Sequence, residues 1–136
     1  MNNISHNIRV YYEDTDSGGV VYYANYLKFA ERARTEALRQ AGLEQSTLMR
    51  DHDVAFVVRR CVCEFIKPAM LDDLLTVHTT LHDISRVSIT MHQSIVRGDV
   101  VLFTLEVKLA VVSAQKTLAK LPDFVHKAMQ VLFDER

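Results

Sequence analysis

Two hydrophobic periodicities divide the chain into a helical part and a strand-rich part. Between Asn25 and Ala41 the apolar positions recur every three to four residues, which is typical of an amphipathic helix. Gly42 follows this run and is placed to end the helix in a left-handed C-cap. The helix is predicted to lie close against a broad surface because its apolar stripe is rich in small residues, namely Ala30, Ala33, Ala37 and Ala41.

After about residue 53 the hydrophobic period changes to two, which predicts β-strands. Residues 54–66 are apolar on both faces, and Lys67-Pro68 follows them. Three more runs, at 75–82, 87–95 and 101–111, place their apolar residues at odd positions. Antiparallel strands that share this face must pair residues whose numbers sum to an even value, so the turns near Ser85 and Gly98 need odd loop lengths or β-bulges.

The order of the remaining elements completes the predicted fold. A short strand at residues 7–12 precedes the helix, and a C-terminal helix at 123–133 follows Pro122. This order predicts an α+β domain in which a curved five-stranded antiparallel sheet wraps around a central helix. No linker or repeat divides the 136 residues, so residues 1–136 are predicted to form a single domain.

Composition narrows the classes of function. The net charge is -1, which argues against a general nucleic-acid binder. The N-terminus lacks the pattern of a secretory signal, and no apolar window suits a membrane helix, so we expect a cytoplasmic protein without membrane insertion. Cys61 and Cys63 are expected to be reduced, and neither a metal site nor a cofactor is predicted.

The turn ahead of the central helix carries the strongest chemical signal. Asp16 precedes this helix by the pair Gly18-Gly19, which lets the backbone pass close to a ligand. A helix N-terminus offers unpaired N–H groups and a positive partial charge. Asp16 is therefore a candidate nucleophile or general base beside a candidate oxyanion site. From the residues alone, Asp14 and Asp16 can also be purely structural turn residues, with Asp16 ending its turn through an Asx hydrogen bond.

The segment RVYYEDTDSGGVVYYANY at residues 9–26 resembles the active-site signature of hotdog thioesterases of the 4-hydroxybenzoyl-CoA thioesterase type. Within that group it is most similar to the bacterial Tol–Pal-associated acyl-CoA thioesterases. The resemblance continues through ERARTE at 31–36, FVVR at 56–59 and PAMLDD at 68–73. It implies a hotdog fold, hydrolysis of acyl-CoA, and a homodimer or homotetramer whose subunits pair edge to edge and share active sites.

The resemblance also implies roles for individual residues. Asp16 is implied to be catalytic, and the backbone N–H of Tyr23 or of a neighbour to polarise the thioester carbonyl. Relatives often carry histidine in place of Tyr23, so a side-chain contribution to proton transfer is absent here or replaced by a phenol. The implied substrate-binding residues are Gly19, Val20, Asn25 and, in the loop between the middle strands, the coenzyme A-binding Arg86; Arg59, Arg60 and Lys67 are alternatives to Arg86.

Several alternatives stay open at this point. Glu31 is the second catalytic candidate, with a salt-bridged surface role as its alternative. His78, His82 and His92 lie on the polar sides of neighbouring strands, where solvated or interface roles are expected. A non-hydrolytic acyl-thioester-binding module, acting as a peripheral partner at the inner membrane, is the alternative function. A dehydratase is disfavoured because neither the turn nor the helix contains a histidine that would abstract an α-proton.

Overall fold

The computed structural model describes residues 3–134 and confirms the predicted sheet and central helix. One antiparallel sheet has the strand order β1-β3-β4-β5-β2. A short 3-10 turn, Tyr12–Asp14, lies between β1 and α1. The elements are β1 (Ile4–Arg9), α1 (Asn25–Gln40), α2 (Gln45–His52), β2 (Ala55–Phe65), β3 (Leu74–Ile84), β4 (Ser88–Arg97), β5 (Val100–Val112) and α3 (Asp123–Phe133).

The strand register agrees with the odd-position pattern. Leu81 lies opposite Met91, and Ile95 lies opposite Phe103, so both pairs sum to even numbers as predicted. The β4–β5 register shifts next to Ile95 and the β3–β4 register shifts next to Leu81, which are the irregularities that the parity argument requires. The odd positions therefore face α1, and the even positions form the polar outer face of the sheet.

Small side chains let α1 lie close to the inner face of the sheet. Ala30, Ala33 and Ala37 are at most 2% exposed, and Phe29 extends from the same helix into the core. Gly42 has φ +80 and ends the helix, as predicted, because a left-handed residue costs little only for glycine. The apolar interior thus lies between one helix and one curved sheet.

The structure differs from the predicted elements in two places. The first strand is Ile4–Arg9 rather than residues 7–12, because the backbone N–H of Tyr11 donates to the carboxylate of Asp14 and the chain turns there. The helix α2 was not predicted at all. It has eight residues, of which only Leu48 is buried, so the sequence shows no repeating apolar pattern that would predict it.

The C-terminal helix begins and ends as predicted. Pro122 is its N-cap, and its face of Val125, Met129 and Phe133 is buried, with contacts to β3. The polar residues of α3 face solvent, as in other amphipathic surface helices. Across residues 3–134 we find no helix with the length and apolar character that a bilayer span requires.

The strand β2 forms an open edge of the sheet. It pairs with β5 on one side and has no partner strand on its other side within the described residues. Val58, Val62 and Phe65 are 53%, 49% and 52% exposed. An edge strand that is apolar on both faces is a surface for association, and a lone subunit leaves it open to solvent.

Candidate active site

Asp16 lies in a tight turn with part of its carboxylate free. Its Oδ1 accepts a hydrogen bond from the backbone N–H of Gly18 at 2.9 Å, and its own N–H donates to the carbonyl of Val20 at 2.9 Å. Its Oδ2 accepts no hydrogen bond from any residue of the described chain, and the residue is exposed. The turn role and a chemical role therefore coexist, because one oxygen holds the turn while the other faces outward.

Two glycines make this turn possible. A Cβ on Gly18 would lie 3.3 Å from Asp16 Oδ1, which is a tight contact for the carboxylate. Gly19 has φ +80, a conformation that side chains disfavour, and its N–H donates to the carbonyl of Asp16 at 3.0 Å. Val20 then forms an antiparallel β-bridge with Met70, which connects this segment to the loop before β3. The predicted substrate contacts of Gly19 and Val20 stay predictions.

The start of α1 supplies candidate donors for an oxyanion. The backbone N–H of Asn25 donates to the carbonyl of Tyr22 at 2.8 Å, and that of Leu27 to the carbonyl of Ala24 at 3.2 Å. In residues 3–134 the N–H groups of Tyr23 and Ala24 have no such acceptor. They lie where the positive end of the helix dipole is strongest. This arrangement can stabilise the negative oxygen of a tetrahedral intermediate.

Asp14 holds the turn and the helix together. Its Oδ2 accepts from the N–H of Tyr11 at 2.8 Å, and its Oδ1 accepts from Nδ2 of Asn25 at 2.9 Å. Asn25 is 8% exposed, so this amide contact is largely screened from water. Asp14 thus has a positioning role. The structure shows Asn25 bound to Asp14, and the predicted contact of Asn25 with substrate stays a prediction.

An aromatic cluster surrounds the helix start. Tyr26 stacks on Phe103 with ring centroids 5.1 Å apart, and Phe65 meets Tyr26 edge-on at 5.7 Å. Phe65 also meets Tyr23 edge-on at 6.1 Å. The hydroxyl of Tyr26 accepts the N–H of Ala69 at 2.9 Å. Neither Phe65 nor Tyr26 was predicted as a site residue, although Phe65 is an aromatic residue at the end of a strand that is apolar on both faces.

The side chain of Tyr23 lies at the exposed edge of this aromatic cluster. It is 63% exposed, and its hydroxyl has no hydrogen-bond partner in the part of the chain that the structure describes. The backbone of the same residue carries one of the two unpaired N–H groups at the helix start. The backbone of Tyr23 is thus better placed than its phenol for a fixed role.

Arg86 lies far from Asp16 within one chain. Arg9, which leads into the Asp16 turn, pairs with Leu74 at the start of β3, whereas Arg86 follows the end of β3. Eleven strand residues separate these ends, which corresponds to about 30 Å along the sheet. The guanidinium of Arg86 has no partner among residues 3–134, and its carbonyl accepts the N–H of Leu121 at 2.6 Å. One subunit therefore does not bring the two predicted residues together.

The remaining candidates occupy other surfaces. His82 and His92 stack with ring centroids 4.3 Å apart on the outer face, and Nε2 of His92 lies 3.3 Å from Oε1 of Glu106. No group of three or more metal-ligating side chains is gathered anywhere in the described chain. Glu31 is exposed on α1 and makes no ion pair with the other described residues. Burial and the neighbouring Cys61 raise the pKa of the Cys63 thiol, and both cysteines are free.

Proteins that are similar in sequence to this chain are thioester hydrolases. Residues 18–104 match the profile of the Thioesterase superfamily. The "Acyl-CoA thioesterase YbgC" of Haemophilus influenzae is 44% identical over 115 residues, covering 85% of each chain. The "Acyl-CoA thioester hydrolase YbgC" of Escherichia coli O6:H1 is 49% identical over 92 residues, covering 68% of each chain.

Solved structures agree with the sequence comparison. A probable thioesterase from Bartonella henselae superposes with a TM-score of 0.86 at 36% identity, covering 88% of this chain and 99% of that one. A mutant 4-hydroxybenzoyl CoA thioesterase, complexed with 4-hydroxybenzoyl CoA, superposes with a TM-score of 0.88, covering 95% of this chain and 99% of that one. At 19% identity this second likeness establishes the fold alone.

Proposed function

This chain belongs to the thioesterase superfamily, and from that premise we propose that it hydrolyses acyl-CoA to a carboxylic acid and free coenzyme A. It is a thioester hydrolase with the hotdog fold. The observation that carries the assignment of residues is the half-free carboxylate of Asp16 in the turn that leads to the unpaired N–H groups of Tyr23 and Ala24. A nucleophile or base beside an oxyanion site is what thioester hydrolysis requires.

The proposed reaction uses each part of this arrangement. The thioester oxygen lies against the N–H groups of Tyr23 and Ala24, whose stabilisation grows as negative charge develops on it. Asp16 then follows one of two routes. In the first, its oxygen bonds to the acyl carbon and the C–S bond breaks, giving a mixed anhydride that water hydrolyses. In the second, Asp16 takes a proton from the water that attacks the carbon. Either route releases coenzyme A thiol and the acid.

Assembly completes the proposed site. We propose that β2 pairs with β2 of a second subunit, because its outer edge is open and Val58 and Val62 are exposed there. An antiparallel two-fold pairing sets the Phe65 end of one strand beside the Ala55 end of the other. Residues 53–60 of the second subunit then line the pocket beside Tyr23. Two such dimers form the proposed homotetramer.

The same pairing gives Arg86 a place in the site. Ala55 pairs with Val112, and the N–H of Val111 donates to the carbonyl of Val87, so Arg86 lies at the Ala55 end of its own sheet. Across the two-fold, Arg86 of the second subunit is about three strand spacings, or 14 Å, from the first β2. We propose that Arg86 binds a coenzyme A phosphate in trans, since the phosphates of coenzyme A lie well away from its thioester.

Cellular context is part of the proposal. The whole chain acts as one domain in the cytoplasm, without a cofactor, and its association with the inner membrane is peripheral where it occurs. The non-hydrolytic alternative has no support from the relatives, which are named as thioesterases and thioester hydrolases. Thiol release from a panel of short, long and aromatic acyl-CoAs tests the function. Saturable binding of acyl-CoA without thiol release from any member would overturn hydrolysis in favour of that alternative.

A further inference from the structure

A cleft of about 300 Å³ runs between α1 and the open edge strand β2. Its α1 wall is one face of the helix, beginning one turn beyond Tyr23, and its sheet wall comes from β2 and β5. Most of the sheet wall is apolar. The residues that line the cleft are Leu27, Lys28, Glu31, Arg34, Val58, Cys61, Leu105 and Val107.

Arg34 is a buried charge whose described hydrogen-bond partner is neutral. It is 8% exposed, and its Nη1 donates to Oε1 of Gln93 at 2.9 Å. Gln93 is 3% exposed and donates in turn to the carbonyl of Ala30 and the hydroxyl of Thr79. Within residues 3–134 no carboxylate oxygen lies within 4.0 Å of the guanidinium. Burial lowers the pKa of Arg34, an effect that the charge of Glu31 opposes in part.

A buried cation without an anion is costly, so its free donors indicate where an anion fits. Nε and Nη2 of Arg34 make no described hydrogen bond, and the described chain holds no fully buried side-chain nitrogen or oxygen without a partner. Both nitrogens therefore retain contact with open space. That space includes the cleft, where Lys28 and Arg34 against Glu31 leave a net charge of +1.

The distance from the oxyanion site to Arg34 sets the length of acyl chain that the cleft can hold. Arg34 follows Tyr23 by eleven positions, which corresponds to about 16 Å along the helix axis. A helical side chain leans toward the N-terminus, so the guanidinium lies nearer to Tyr23 than its own Cα does. This leaves about 10 Å between the oxyanion site and the guanidinium, a distance that suits an acyl chain of medium length.

We propose that this cleft binds the acyl group and that Arg34 selects acyl groups with a carboxylate at their far end. The inference rests on the proposed thioester hydrolysis and adds its substrate class, the medium-chain ω-carboxyacyl thioesters. The apolar wall of Val58, Leu105 and Val107 holds the methylene chain, while the guanidinium pairs with the terminal carboxylate. Arg34 is in this role a specificity residue, since it contacts the substrate away from the reacting bond.

Paired substrates of equal chain length test the proposal on the unaltered enzyme. Suberyl-CoA and octanoyl-CoA differ only in the terminal carboxylate. We expect kcat/KM for suberyl-CoA to exceed that for octanoyl-CoA by about ten-fold or more, because a desolvated charge pair forms with one of them alone. A preference for octanoyl-CoA would overturn the substrate class and leave hydrolysis intact. Failure to hydrolyse either thioester, or any other acyl-CoA, would instead remove the function on which the inference rests.

Substitution of Arg34 gives a second test that separates specificity from folding. Arg34→Met keeps the length of the side chain and removes its charge, so we expect the suberyl-to-octanoyl ratio of kcat/KM to fall by about ten-fold or more. A general loss of stability lowers both rates and leaves their ratio unchanged. Arg39→Met, on an exposed part of the same helix, is the matched control and should leave the ratio unchanged. If Arg34→Met does not fold, the comparison of the two substrates on the unaltered enzyme decides. An Arg34→Met enzyme with an unchanged ratio contradicts the proposal.

Discussion

The amide of Asn25 donates a hydrogen bond to the carboxylate of Asp14 at 2.9 Å, across the turn that carries Asp16. The other oxygen of Asp14 accepts the N–H of Tyr11, and its carbonyl accepts the N–H of Tyr22. One residue therefore ties the end of β1 to the first turn of α1. Because Asp16 lies two residues beyond this anchor, its distance from the unpaired N–H groups depends on the Asp14–Asn25 contact.

A double-mutant cycle on this pair measures its contribution. Asp14→Ala and Asn25→Ala should each lower the free energy of unfolding by about 1–3 kcal/mol, since each leaves a poorly hydrated polar partner unpaired. The double variant should lose less than the sum, with a coupling of about 0.5–3 kcal/mol. Urea unfolding measures the energies, and Glu13→Ala, on an exposed neighbour, is the control. Strictly additive losses would contradict a direct coupling between the two side chains.

Asp16→Asn separates chemistry from folding at the proposed catalytic residue. The asparagine oxygen can still accept the N–H of Gly18, so the turn and the melting temperature should be preserved. The carboxylate that attacks or takes a proton is lost, so kcat for acyl-CoA hydrolysis should fall by about three orders of magnitude or more. Thiol release by purified protein measures the rate, with Glu13→Gln as a charge-matched control. Near wild-type activity in Asp16→Asn would exclude Asp16 as the catalytic group.

The helix α1 and the strands β3, β4 and β5 could be predicted because they pack against one another. The buried face of each therefore carries apolar residues at the spacing of a helix or a strand. Ala30 and Phe103 are both fully buried, and each belongs to an apolar stripe that is visible in the sequence. The end of β1 was misplaced because a local contact, Tyr11 N–H to Asp14, decides where the strand ends. Such capping competes with the strand pattern and leaves no periodic signal.

The candidate site was only partly predictable for a different reason. Asp16 and the helix start are neighbours in sequence, so their proximity follows from a local motif. Arg86 is distant from Asp16 because β1 pairs with β3. The hydrophobic alternation within one strand does not show which other strand it pairs with. In the sequence Arg34 is one of several charged residues within α1, and Gln93 interrupts the alternation of apolar residues in β4. Together they form one buried contact between α1 and β4 that neither pattern shows alone.

Tyr23 allows the backbone and side-chain roles to be separated. Tyr23→Phe removes the exposed hydroxyl and keeps the ring beside Phe65, so kcat should stay within about two-fold of wild type. Replacing the amide of Tyr23 by an ester, through semisynthesis, removes the N–H and should lower kcat by about 10²-fold. Thiol-release kinetics on both proteins provide the comparison. A large loss in Tyr23→Phe with little loss in the ester would assign the role to the phenol.

The open edge of β2 predicts the oligomeric state. Light scattering at low micromolar concentration should give at least twice the 15.6 kDa chain mass. Val62→Lys places a charge on the edge strand and should shift the protein toward monomer with loss of activity, since charged edges oppose strand pairing. Leu118→Lys, at an exposed position outside β2, is the matched control. A fully active monomer of the unaltered chain would exclude shared active sites.

Mixed dimers test whether Arg86 acts across the subunit interface. Arg86→Ala alone should raise KM for acyl-CoA more than it lowers kcat, because a phosphate contact is equal in the ground and transition states, and the effect should shrink at high salt. Asp16→Asn alone should be inactive. In a dimer of one Arg86→Ala subunit and one Asp16→Asn subunit, a trans contact leaves one site with both native residues.

That mixed dimer should therefore show wild-type KM with about half of wild-type kcat per dimer. If Arg86 acted within its own subunit, the site with a working Asp16 would lack Arg86, and the mixed dimer would show the raised KM of Arg86→Ala. Two subunits joined in one polypeptide, one with Arg86→Ala and the other with Asp16→Asn, give the mixed dimer even where two dimers associate, and thiol release at low ionic strength gives both constants. An unchanged KM in the Arg86→Ala homodimer would remove Arg86 from the site in either arrangement.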